Sequence, residues 1–95
     1  MKTSESIIGS LAVSLAGRDK GRTLVITGVC DADSVFVADG KMRKTGTPKK
    51  KKMRHLKIVS KADEESVSRI ASGLATDSFI RKILDSAVID DDDLI

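Results

Sequence analysis

The chain has 95 residues, a formal net charge of +3, one cysteine, one histidine and no tryptophan or tyrosine. That length holds one domain with a short appendage, not two independent cores. A lone Cys30 excludes an intramolecular disulfide and fits a reducing, cytoplasmic compartment. Cys30 and His55, far apart in the chain, do not start a zinc set, and Phe36 and Phe79 alone cannot build a platform of stacked rings.

Residues 1–8 read as a loose N-terminal arm. Ser14-Leu15-Ala16 looks like a signal-peptidase site behind an apolar run, but Glu5 beside that run and Gly9, Ser10 and Ser14 within it argue against a leader. Leu11, Val13 and Leu15 alternate with small residues, which predicts a half-buried strand. Residues 16–21 then form a turn in which Gly17 and Gly21 permit a tight path. Residues 23–30 are the clearest strand, and Gly28 inside it predicts a bulge or bend. Cys30 at its end reads as a small buried apolar residue.

Residues 31–34 read as a turn and residues 35–38 as a strand. Asp39-Gly40 is the strongest hairpin signal in the chain. It predicts residues 41–44 as a short partner strand, with Met42 in the core and its cations outward. Residues 46–52 read as a loop around the single proline, Pro48. Residues 54–59 read as the fifth strand, with Leu56 and Ile58 inward and His55 at the surface.

Beyond residue 60 the apolar spacing changes from that of a strand to that of a helix. Val67, Ile70, Ala71 and Leu74 share a helical face, with Ser60 as the cap and Gly73 as the stop. Thr76 or Asp77 caps a second helix whose apolar face is Phe79, Ile80, Ile83, Leu84 and Ala87. The fold class is therefore mainly β. Residues 9–59 are expected to form a small five-stranded barrel, since closure removes exposed edges, and residues 60–95 a helical appendage with an acidic end. No apolar run approaches the ~20 residues of a membrane span.

Charge divides along the chain. Residues 1–60 hold 13 Lys or Arg against 5 Asp or Glu, and residues 61–95 hold 4 against 9. This predicts a body that binds polyanions and a separate acidic end. The cations fall in three groups: Arg18, Lys20 and Arg22; Lys41, Arg43 and Lys44; and Lys49, Lys50, Lys51, Lys52 and Arg54. A run of ammonium groups seeks phosphate and releases condensed counterions. Without aromatic platforms, a folded RNA read by shape and backbone fits better than a single strand. Reversing Lys50 and Lys51 to Glu is the sequence-based test of that interface. No nucleophile–base set, metal cluster or phosphate-binding fingerprint is legible, so neither catalysis, a cofactor nor a small-molecule substrate is expected.

Val13-Ser14-Leu15-Ala16-Gly17-Arg18-Asp19-Lys20-Gly21-Arg22-Thr23-Leu24-Val25-Ile26 resembles a KOW motif, with Gly21 at the key glycine. Val37-Ala38-Asp39-Gly40-Lys41-Met42-Arg43-Lys44 and Pro48-Lys49-Lys50-Lys51-Lys52 follow in the order found in short bacterial KOW-domain RNA-binding proteins. These are similar to the fourteenth large-subunit (e-type) ribosomal protein of archaea and eukaryotes. The resemblance spans residues 9–59. It implies an SH3-like barrel and association with ribosomal or other structured RNA. SH3-like KOW domains also bind proteins in transcription and translation machinery. That makes a protein partner at the C-terminal helices the alternative.

Overall fold

The structure is a computed structural model that describes residues 7–87. Most of the predicted N-terminal arm, and the acidic residues 90–93, lie outside the described residues. Five strands form one antiparallel sheet: β1 (Ser10–Ser14), β2 (Thr23–Val29), β3 (Ser34–Ala38), β4 (Lys49–Lys52) and β5 (Leu56–Lys61). Their order is β4-β3-β2-β1-β5. A single 3-10 turn, Met53–His55, joins β4 to β5, and no ladder pairs these two edges among the described residues. The sheet is thus not closed into a barrel. Two helices follow, α1 (Glu64–Ala71) and α2 (Asp77–Ser86). None of the described helices is long and apolar enough to cross a membrane.

Alternation along the strands buries both faces of the sheet. Ala12, Leu24, Ile26, Val35, Val37 and Leu56 form one buried cluster, with Ile7 and Met53 against it. Ile8, Leu11, Val25, Ile70 and Ile80 form the other, which Phe79, Ile83 and Leu84 extend. The helices therefore cover the second face, through Ile70 of α1 and Ile80 of α2. Fully burying a side chain such as that of Ile80 contributes about 1.5–3 kcal/mol. The β2–β3 register shifts between Ile26 and Gly28, so the bulge falls where the strand glycine predicts it.

Asp63, and not Ser60, caps α1: its carboxylate accepts from the Ser66 N–H at 2.9 Å, while Ser60 lies within β5. Gly73 ends the turn after α1 at φ +78°, and Leu74 N–H donates back to the Arg69 carbonyl at 3.0 Å, the left-handed glycine stop expected there. Thr76 caps α2 by accepting from Phe79 N–H at 3.1 Å.

The fourth strand is where the structure departs most from expectation. Residues 41–43 are bends, Lys44 is irregular, and Met42 is 66% exposed. The cause is Asp39. Its Oδ1 accepts from the N–H groups of Lys41 at 2.8 Å and Arg43 at 2.9 Å, and the Asp39 N–H donates to the Arg43 carbonyl at 2.8 Å. The segment closes on itself and its donors are unavailable to a ladder. The lysine run pairs with β3 instead, with Val37 opposite Lys49 and Val35 opposite Lys51. Lysine is a poor strand former, but on an edge strand it also discourages pairing with other chains. Ile58 and Leu15 are partly exposed, at 43% and 42%: Ile58 stands on the edge strand β5 opposite the small Ala12, and Leu15 lies past the end of β1. Cys30 is exposed, since the strand ends before it.

Gly40 ties the bends to α2. It has φ +79°, and an added Cβ would fall within 3 Å of the Asp77 carbonyl oxygen. Arg81 donates to the Gly40 carbonyl, and Thr45 N–H donates to Asp77 Oδ1 at 2.7 Å. Gly40→Ala is predicted to cost about 3 kcal/mol through backbone strain and the lost helix contact, read as a melting temperature lowered by about 12–20 °C.

Candidate functional site

Asp19 stands at the junction of the predicted basic groups. It sits in the β1–β2 loop and is 3% exposed. One oxygen, Oδ2, accepts from Arg43 Nε at 3.3 Å and meets Lys49 Nζ at 3.3 Å. Burial alone would push its carboxyl up. The Lys49 hydrogen bond and charge, followed by those of Arg43, outweigh burial and hold the carboxyl below its ordinary value. Beside it, Lys51 Nζ donates to the Ala16 carbonyl at 2.8 Å. Arg22 pairs with Asp39 at 3.6 Å, tying the base of the β1–β2 loop to the bends after β3.

These contacts follow from strand register. Residues directly opposite in an antiparallel pair share a face. Lys49 and Lys51 therefore share the face of Val37 and Val35 and reach across the open end of the sheet to the β1–β2 loop. Lys51 is 7% exposed. Burial, and then the neighbouring Lys49 charge, push its ammonium below the ordinary lysine value against the pull of Asp19. Lys50 and Lys52 take the other face and are exposed.

The lysine run therefore splits in two. Lys49 and Lys51, with Arg43, latch β4 and the bends to the first loop. Around this latch Arg18, Lys20, Arg22, Lys41 and Lys44 are exposed, so two of the sequence groups converge at one end of the sheet. Lys50, Lys52 and Arg54 lie toward the β2–β3 turn. Lys50 pairs with Asp31 there at 3.5 Å, and Lys52 and Arg54 flank Ala32 and Asp33. The span of β4 separates the two groups by about 10 Å, comparable with the spacing of a few backbone phosphates.

Gly21, in the β1–β2 loop, has φ +86°, and the space beside it is open. Its N–H donates to the Ser14 carbonyl at 2.8 Å, so it serves the turn first. Sequence reasoning assigned Asp19 and Asp39 to turns and missed that Asp19 gathers the cations. An aspartate in a glycine-rich loop carries no signal that separates the two roles. Because Lys51 is buried, its reversal to Glu would disrupt the latch, and Lys50 is the better probe of the surface. Among the described residues, no three His, Cys, Asp or Glu side chains assemble as metal ligands. No family model matches this chain, and no curated protein matches it significantly.

Proposed function

We propose that this protein is a non-enzymatic RNA-binding module of the KOW type, in which a basic surface grips the phosphates of a structured RNA, ribosomal RNA foremost. One observation carries the reading: buried Asp19 holds Arg43 and Lys49, so cations from three separate segments share a fixed framework with Arg18, Lys20, Lys41 and Lys44 exposed around it. Fixing the loops before binding reduces the ordering cost of the complex. An SH3-like arrangement is part of this proposal. The strand order β4-β3-β2-β1-β5, with bulges in β1–β5 and β2–β3, supports a sheet that curls toward such a barrel. Phosphate contact supplies affinity, and shape supplies the choice of RNA. Ribosome or translation association in the cytoplasm follows as the setting.

The test is crosslinking of the protein to RNA in cells, with sequencing of the bound fragments. Fragments concentrated in helical junctions of ribosomal RNA are the expected result. Recovery no greater than from an uncrosslinked control would overturn the proposal.

A further inference from the structure

A second surface lies away from the basic loops. Between the end of β5, α1 and α2 runs an open groove of about 680 Å³, within the range of built ligand sites. Its floor is apolar: Leu11, Ala62, Phe79, Ile83 and Ala87 line it. Three cations, Lys61, Arg69 and Lys82, stand around this floor. The one carboxylate among them, Asp63, is engaged in capping α1. The Arg69 guanidinium stands 4.9 Å from the centroid of the Phe79 ring, a cation–π contact.

We propose that this groove docks an acidic peptide with aliphatic anchors, presented by a separate protein. The apolar floor takes the anchors, and the surrounding cations take the flanking carboxylates. Charge complementarity selects the sign of the partner and steers its approach. RNA is the poorer occupant, because it would lay phosphates over an apolar floor and Arg69 already covers a face of the only ring there. The inference is independent of the RNA reading, since none of these residues belongs to the basic loops.

The test uses the full chain. A displayed library of random peptides of roughly 12 residues is selected on it, and the enriched peptides are measured by fluorescence polarisation. Enriched peptides are expected to combine Asp or Glu with at least two of Leu, Ile or Val. Lys82 is exposed, so Lys82→Glu should leave circular dichroism unchanged while weakening binding by about tenfold or more. Lys82→Gln should give an intermediate loss, and structured-RNA affinity should not move for either variant. Enriched peptides without acidic residues would overturn the proposal, as would affinities that stay within about twofold for both variants. Binding that appears only after Asp90, Asp91, Asp92 and Asp93 are replaced by Asn would also overturn it, by assigning the groove to carboxylates of this chain.

Discussion

Asp19→Ala is expected to destabilise the protein by about 3 kcal/mol. The carboxylate is 3% exposed, and it joins the β1–β2 loop to both Arg43 and Lys49. Removing it leaves three cations, with Lys51, crowded and without an internal counter-charge. Arg43 and Lys49 are each about one-third exposed, so water screens part of the cost and the lower end of the range for broken buried pairs applies. Thermal unfolding should show a melting temperature lowered by about 12–20 °C.

The pH dependence separates this cause from simple loss of packing. The folded carboxyl lies below its ordinary value of 3.8. Its contribution is therefore fully present above that value and is lost as pH falls through the lower, folded value. The stability gap between the wild type and Asp19→Ala should be constant near neutrality and should narrow below about pH 4. A gap of the same size at all pH values would show that the charge is not the cause.

The second large effect is on binding. Arg18, Lys20 and Lys44 are exposed, and none has an ion-pair partner among the described residues. On the proposed function, reversing all three to Glu should remove three phosphate contacts without touching the latch. Affinity for a structured RNA should fall by about a hundredfold or more at moderate salt, and the slope of log affinity against log salt should lose about 3 units. The stability of this variant should match the wild type, because exposed charges with no partner contribute little to folding. Affinity unchanged within about twofold would place the interface elsewhere.

Much of the sheet was legible, and the reasons are local. Strand β1 announces itself by alternation, β2 and β3 by short runs of β-branched and other apolar residues, Gly28 marks its bulge, and the left-handed Gly73 and the Thr76 hydroxyl bound the helices. The fourth strand was not legible, because two polar segments competed for one place beside β3. Asp39-Gly40 signals a hairpin, yet the Asp39 side chain consumes the donors that a strand at 41–44 would need. A run of four lysines has no apolar pattern, so only its pairing with Val35 and Val37 gives it two faces. The same limit applies to the candidate site. Composition shows which residues can meet phosphate, but it does not separate Lys49 and Lys51, spent on the latch, from Lys50 and Lys52, which face solvent.

The reading stands or falls on phosphate contact by a preassembled basic surface. The most direct measurement is the affinity of the wild-type protein for a folded ribosomal RNA fragment across a salt series. Neutralising about five phosphates predicts a log–log slope near −4. A slope shallower than about −1, or no binding at low salt, would contradict it.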